Sequence, residues 1–166
     1  MLDRHCESTA TVITSPARLF DHLDRHDRLA GHMTGSSWMM AGGSMRISTD
    51  ALEGRAIGSR IRLEGRVLGL RLFVEEIVTE RDPARKKTWV TVGDVRLLVI
   101  GSYRMGFEIS PEDTASRLRV FIDYELPTTG IRRWLGRLLG AWYARWCTDQ
   151  MVGDAVHAFA HAGSLT

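Results

Sequence analysis

The last part of the chain has the pattern of one long amphipathic helix, and this feature constrains the fold most. Apolar residues after Pro127 recur at i, i+3 and i+4 spacing, which predicts a helix over about residues 128–161. At about 1.5 Å per residue such a helix is about 50 Å long, enough to cross a whole sheet. The apolar positions are Ile131, Trp134, Leu135, Leu138, Leu139, Trp142, Cys147, Met151, Val152, Ala155, Val156 and Phe159.

The segments before this helix have the two-residue period of half-buried antiparallel strands. In residues 59–67 apolar side chains alternate with Arg and Glu, so one face of the strand is apolar and the other is charged. Seven strands are predicted in all, and the last six are consecutive. They cover residues 5–13, 45–48, 59–67, 70–79, 87–92, 103–109 and 117–126.

Short helices and a loop are predicted between the first strand and the second. Ser15 is a favoured N-cap and Pro16 fits the first helical position, so a helix begins there and runs to about Asp24. A second short helix is predicted over residues 26–32, followed by a Met-rich loop over 34–43.

This element order predicts an α+β fold with an interior cavity. A twisted seven-stranded sheet curls around the one long helix, and a helix about 10 Å across cannot fill the concave surface. Core packing is the alternative for any single residue of the lining. The predicted ligand-binding residues are Met45, Trp89, Tyr103, Met105, Phe107, Tyr124 and Trp142.

The chain resembles the START-like, SRPBCC superfamily. The resemblance rests on the element order, on residues 15–20 (SPARLF) and on residues 103–108 (YRMGFE). That superfamily includes polyketide cyclases, lipid-transfer START domains, ubiquinone-binding proteins and the major birch pollen allergen. The resemblance implies a helix-grip fold, with a curved seven-stranded antiparallel sheet around a long C-terminal helix and two short helices after the first strand. It also implies one ligand-binding domain over residues 1–166, and it assigns no catalytic residue.

Three side chains are candidates for chemistry in the interior. Tyr103 and Tyr124 fall on apolar strand faces, where a phenol bonds to backbone, to water or to a ligand carbonyl, or acts as a general acid. Glu76 shares a face with Val74 and would be a base with a raised pKa if that face is inward. Phe73 and other apolar residues of the opposite parity leave the register of this strand open.

Two histidine pairs have the i, i+4 spacing of metal ligands. His22 and His26 form one pair, and His157 and His161 form the other. Neither has an obvious third ligand, so we expect no metal and no cofactor.

Charge and cysteine content exclude several protein classes. The formal net charge of +2 does not indicate a nucleic-acid partner, and the short basic run 85–87 is expected to be a solvated turn. Cys6 and Cys147 are far apart in sequence, which fits a reducing compartment. The charged N-terminus lacks a signal-peptide core and no apolar run could span a membrane, so a cytoplasmic location is expected.

Three functions remain open. The first is a carrier for a lipid, quinone or polyketide-like molecule, and the second is a cyclase or dehydratase acting in the same cavity. The third is a module that docks on a membrane or a protein through the basic, Trp-rich half of the last helix, and a homodimer is also open. That half contains Arg132, Arg133, Trp134, Arg137, Trp142, Arg145 and Trp146.

Overall fold

The sheet and the helices were assigned from a computed structural model that describes residues 2–25, 44–67, 70–128 and 130–160. The side chains of Ser44, Met45 and Val67 are not described. The strands are β1 (Arg4–Val12), β2 (Ser44–Thr49), β3 (Arg60–Val67), β4 (Leu70–Asp82), β5 (Lys86–Arg96), β6 (Tyr103–Glu112) and β7 (Ala115–Tyr124). The helices are α1 (Pro16–Leu23) and α2 (Gly130–Ala160).

The seven strands form one antiparallel sheet in the order β1-β7-β6-β5-β4-β3-β2. Each predicted strand is confirmed, although β4, β5 and β6 extend further at their C-terminal ends than the alternation predicted. Strands β2 to β7 pair with one another in chain order, and β1 pairs with β7. The first strand in the chain therefore lies at one edge and the second at the other.

The register left open for β4 is decided by the structure. Leu72, Val74, Glu76 and Val78 are buried on the inner face. Two register shifts against β5 interrupt the ladder of this long strand, and bulges of this kind bend a strand and increase its twist. Glu76 therefore lies on the buried face of β4, together with the core residues of that strand.

Helix α1 begins where the sequence predicted and packs on the inner face of the sheet. The Ser15 side chain accepts a hydrogen bond from the backbone N–H of Arg18 at 3.5 Å, which caps the helix. The ring of Phe20 meets the ring of Phe107 edge-on at 5.6 Å between centroids. The second short helix and the Met-rich loop, predicted over residues 26–43, lie outside the described residues.

A buried ion-pair cluster ties the end of α1 to the sheet. The Lys87 ammonium donates to the Asp24 carboxylate at 2.9 Å and to the Asp24 carbonyl at 2.8 Å. Arg81 donates to the same carboxylate at 2.8 Å. The prediction of a solvated turn at residues 85–87 is therefore wrong for Lys87, which is fully buried because its partner lies 63 positions away in sequence.

The C-terminal helix is confirmed as one helix of 31 residues. The helix packs against β1 and β7. Its second half buries Ala144, Cys147, Met151 and Ala155, which the apolar spacing placed toward the sheet or beside that face. The second half of α2 is therefore oriented as predicted.

The first half of α2 is rotated relative to the prediction. Gly136 and Gly140 are buried against the chain, and a Cβ on Gly136 would lie 2.9 Å from the carbonyl oxygen of Val99. Because only glycine allows that approach, the large side chains turn away from the sheet. Trp142 is 51% exposed, so its predicted place in the interior lining is wrong.

Candidate functional site

A row of polar side chains crosses the apolar inner face of the sheet at one level. Glu76 of β4 is opposite Thr91 of β5 in the strand register. The Thr91 hydroxyl accepts a hydrogen bond from the Tyr103 backbone N–H at 3.0 Å, which places Tyr103 of β6 next in the row. Tyr124 of β7 is opposite Tyr103. The strand pairing thus brings together residues that are up to 48 positions apart in sequence.

Glu76 and Tyr103 form a buried hydrogen-bonded pair. The Tyr103 hydroxyl reaches over Thr91 and donates to the Glu76 carboxyl oxygen Oε1. The Trp89 side chain also hydrogen-bonds the Glu76 carboxyl, and an indole N–H can only donate. Glu76, Tyr103 and Trp89 are all buried. The carboxyl group is thus held by two uncharged donors within an apolar surface.

Burial sets the proton affinity of this pair. Loss of hydration raises the pKa of Glu76 to about 7, and the hydrogen bonds from Tyr103 and Trp89 oppose this rise. Burial and the adjacent Glu76 carboxyl raise the pKa of Tyr103 well above 10. Near neutral pH the phenol therefore keeps its proton, while the carboxyl can either hold or release one.

Helix α2 brings Tyr143 and Cys147 to the neighbourhood of this pair. Both side chains act electrostatically on Tyr103, and the Tyr143 hydroxyl hydrogen-bonds the Cys147 sulfur one turn along the helix. Burial raises the pKa of Cys147 to about 12. The thiol is therefore protonated at neutral pH, which does not suit a cysteine nucleophile.

Sequence reasoning missed Tyr143 as a site residue because it turned the first half of the helix the wrong way, and it placed Cys147 inward without assigning it to the site. It placed Trp142 toward the sheet, whereas the next residue, Tyr143, faces inward. The available signal was the pair of glycines at positions 136 and 140. Tyr143 and Cys147 continue the same three- or four-residue spacing, so they lie on the same side of the helix as the two glycines.

Three of the other predicted lining residues are buried in the structure. Trp89, Met105 and Phe107 are buried on the inner face with Tyr103 and Tyr124. The side chain of Met45 lies outside the described residues.

The hydroxyl of Tyr124 lies apart from the Glu76 carboxyl. It hydrogen-bonds Arg4 on the neighbouring strand β1, at the opposite side of Tyr103 from Glu76. Of the three predicted catalytic candidates, the structure brings Glu76 and Tyr103 together and separates Tyr124.

Comparison with solved structures identifies the architecture. The chain aligns with a protein from Thermus thermophilus at a TM-score of 0.69 and 15% identity, covering 97% of this chain and 100% of the other. The ZhuI aromatase/cyclase from a Streptomyces species aligns at a TM-score of 0.64 and 15% identity, covering 98% and 96%. Norcoclaurine synthase from Thalictrum flavum aligns at 0.64 and 9% identity, covering 93% and 85%. The chain has the helix-grip fold.

At these identities the similarity shows the fold and nothing finer. No protein-family model and no curated protein sequence matches the chain. The resemblance to START-like and Bet v 1-like proteins is confirmed at the level of the helix-grip fold. The site therefore has to be argued from the residues of this chain.

The outer face of the helix-grip sheet carries a second candidate, an open cleft of about 720 Å³. Most of its charged residues pair with one another. Arg119 donates to Glu108 at 2.8 Å, Arg85 lies 3.8 Å from Asp82, and Lys86 lies 3.9 Å from Glu108. Exposed pairs of this kind are typical of a solvated sheet face. The Glu76–Tyr103 pair on the inner face is the stronger candidate.

The predicted histidine pairs are only partly described. His26 and His161 lie outside the described residues, and the His22 ring packs edge-on against Phe159 at 5.3 Å between centroids. Within residues 2–25, 44–67, 70–128 and 130–160, no three potential ligand side chains come together to hold a metal ion.

Proposed function

We propose that the protein binds an apolar small molecule with one polar group, and that Glu76 and Tyr103 hold that group in the helix-grip interior. The observation that carries this proposal is a carboxyl–phenol pair set into a largely apolar sheet face. The ligand class is a lipid, a quinone or a polyketide-like molecule. The cavity between sheet and helix remains a prediction, since residues 26–43, which the sequence assigns to its closure, lie outside the described residues.

The energetics of the pair support a ligand role. Burying a carboxyl group costs free energy, and hydrophobic residues of similar size would stabilise the same position better. Glu76 is flanked on its strand by Val74 and Val78, and its carboxyl is hydrogen-bonded by the uncharged Tyr103 and Trp89. Strongly perturbed carboxyl groups in an apolar interior are typical of functional sites.

One uncharged donor of the pair remains for a ligand carbonyl or hydroxyl group. Protonated Glu76 can donate its own proton to the Tyr103 oxygen, and the Tyr103 hydroxyl then donates to the ligand instead of to Glu76. A neutral carboxyl group does not repel an apolar ligand, because no net charge has to be buried with it. Binding of the ligand is therefore favoured at pH values below about 7.

A cyclase or dehydratase acting at the same pair is the second candidate function. A carboxyl group with a pKa near 7 suits a general acid–base, because it takes up and releases protons at working pH. In a dehydration, ionised Glu76 would remove a proton from the carbon beside a ligand carbonyl. The hydroxyl group on the next carbon would then take that proton from Glu76 and leave as water as the C=C bond forms. Once Glu76 holds the proton it no longer needs the hydrogen bond from Tyr103, and the Tyr103 hydroxyl would donate to the carbonyl oxygen instead. Among the similar structures, one is an aromatase/cyclase.

The first test is native mass spectrometry of freshly purified protein, followed by denaturing extraction and mass analysis of what is released. A stoichiometric apolar molecule supports the carrier function and identifies its class. An unliganded mass argues against a tight carrier and favours an enzyme with transient substrates.

A two-probe binding experiment tests the site itself. Prodan, a naphthalene with a ketone, and N-phenyl-1-naphthylamine, which has no carbonyl, are titrated against the protein. Met105→Glu should abolish binding of both probes because it introduces a charge into the interior, whereas Met105→Leu should retain it. Tyr103→Phe should weaken prodan alone by about fivefold, the effect of one hydrogen bond.

Tyr124→Phe is the matched control, since it removes a phenol from the same row without touching Glu76. It should leave both affinities unchanged. Wild-type affinity for both probes in Met105→Glu would show that binding takes place elsewhere. A variant Tyr103→Phe that binds prodan normally but no longer converts an identified substrate would favour the enzyme over the carrier.

A further inference from the structure

The first half of α2 carries a stripe of large apolar side chains in contact with solvent. Ile131 is 71% exposed, Trp134 is 60%, Leu138 is 59% and Trp142 is 51%. These four residues are spaced three or four apart, so they form one continuous line along the helix. We call this line the α2 stripe. Scattered single exposed hydrophobic residues are normal, but a contiguous stripe marks an interaction surface.

The α2 stripe faces solvent because the opposite face of the helix is packed closely against the rest of the chain. Gly136 and Gly140 are buried, and a Cβ on Gly140 would lie 3.0 Å from the carbonyl oxygen of Val99. Leu138 is two residues from each glycine, which places it about 200° around the helix, on the far side. No small rotation of α2 can bury the stripe without breaking the close contact at both glycines.

The residues around the stripe are basic. Between Glu125 and Asp149 the chain contains no acidic residue and four arginines, Arg132, Arg133, Arg137 and Arg145. By helical spacing, Arg132 and Arg137 fall on the two flanks of the stripe. An apolar line with cations along its edges complements a surface that is apolar below and anionic above.

We infer that the α2 stripe docks on an anionic phospholipid membrane, with the helix lying in the headgroup plane. Tryptophan rings favour the membrane–water interface, and the long arginine side chains reach the phosphates from beside the apolar line. Pairing with a second copy would bring the arginines of two helices together, which like charges disfavour. None of the helices in the described part of the chain has the length and hydropathy to cross a membrane, so the contact is on the surface.

The experiment is co-sedimentation of the full chain with phosphatidylcholine vesicles, with and without phosphatidylglycerol. We expect binding to the phosphatidylglycerol vesicles alone. Trp134→Ser/Trp142→Ser should lower the partition coefficient by more than about tenfold, because both rings lose their burial in the interface. Arg132→Gln/Arg137→Gln should lower it by about 30-fold, and added salt should lower wild-type binding in the same direction.

Two matched controls separate the stripe from general hydrophobicity and charge. Leu52→Ser/Ile57→Ser removes two exposed apolar side chains from another surface, and these are 52% and 64% exposed in the wild type. Arg96→Gln/Arg117→Gln removes the same charge from strands β5 and β7 of the sheet. Both controls should bind like the wild type. Circular dichroism should show unchanged folding in every variant.

The outcomes decide the inference directly. Failure to sediment with phosphatidylglycerol vesicles, or equal losses in the stripe variants and their controls, would overturn it. A wild-type dimer in analytical ultracentrifugation that Trp134→Ser/Trp142→Ser converts to a monomer would also overturn it and assign the stripe to a second copy. Probe binding in the interior should be unchanged in the stripe variants, so that this test does not depend on the proposed ligand site.

Discussion

Asp24 and Glu76 are both buried carboxyl groups on the helix side of the same sheet, yet their surroundings drive their charges in opposite directions. Burial acts to raise the pKa of Asp24, but hydrogen bonds from Arg81 and Lys87 outweigh it and lower the pKa to about 2. Glu76 receives its hydrogen bonds from the uncharged Tyr103 and Trp89, and burial raises its pKa to about 7. The difference shows that charged donors can outweigh the cost of burying a carboxylate, whereas the uncharged donors of Glu76 do not.

The two groups therefore have different roles. Asp24 is a permanent anion whose cations fix the end of α1 to β4 and β5. Glu76 is held by uncharged donors and keeps a proton that it can exchange near neutral pH. The two sites are also coupled, since the positive charge of Lys87 acts to lower the pKa of Glu76.

The largest expected effect comes from removing the buried cation. Lys87→Met should lower the free energy of unfolding at pH 7 by about 3–5 kcal/mol, because buried Asp24 loses two hydrogen bonds, one at its carboxylate and one at its carbonyl. Urea unfolding measures the change. Lys86→Met is the neighbouring control, and loss of its exposed pairs should cost at most about 1 kcal/mol. Equal losses of unfolding free energy in Lys87→Met and Lys86→Met would contradict a structural role for the buried ion-pair cluster.

The pH dependence of Glu76→Gln is the next largest effect. The pKa of Glu76 is 4.5 when unperturbed and about 7 when folded, so the folded state binds more protons between these values. Stability is lost as pH rises from about 4.5 to 7, by about 3 kcal/mol in total. Glu76→Gln removes this loss, so its free energy of unfolding should improve relative to wild type by that amount across the range.

Glu75→Gln is the control for this experiment, because Glu75 faces the other side of β4 and pairs with Arg60. Its stability should follow the wild-type pH profile. A Glu76→Gln profile parallel to the wild-type one would contradict the raised pKa.

Asp24 should show the opposite pH dependence at a smaller size. Its folded pKa of about 2 is below the unperturbed 3.8, so its contribution is complete above pH 3.8 and is lost as the pH falls toward 2. The loss is about 2 kcal/mol. Asp24→Asn should therefore lose less stability than wild type between pH 5 and 2 in acid unfolding. Identical losses in the two proteins would assign the acid sensitivity to other carboxylates.

The smallest effect concerns Tyr103. Tyr103→Phe should cost about 1 kcal/mol and raise the pKa of Glu76 further, because it removes a hydrogen bond that favours the carboxylate. Tyr124→Phe should leave that pKa unchanged, since its hydroxyl contacts Arg4. An equal change in the pKa of Glu76 in the two variants would mean that all the polar side chains of the row are coupled to Glu76.

The strands, the capped helix α1 and the long α2 could be predicted from the sequence because each is specified locally. Ser15 and Pro16 mark a helix start, and alternation marks a strand, without knowledge of the partner. The inward position of Glu76 could not be decided in this way. Apolar residues fall on both faces of β4, and the face that is buried is fixed by packing in a core built from distant parts of the chain.

Two further features depend on distant partners. The burial of Lys87 follows from Asp24, and no local pattern indicates it. The rotation of α2 follows from Val99, whose carbonyl admits only Gly136 and Gly140. The apolar spacing of the first half of α2 fits either a core face or an exposed stripe, so periodicity alone placed Trp142 in the interior.

The measurement that tests the central claim most directly is the titration of the Glu76 carboxyl group by ¹³C nuclear magnetic resonance, with its signal assigned by its loss in Glu76→Gln. The structure predicts a midpoint at about pH 7, and a carboxyl group that still holds its proton under mildly acidic conditions. A midpoint near the ordinary value of 4.5 would mean that Glu76 is hydrated and ionised at neutral pH. The proposed interior binding site would then lose the proton on which it depends.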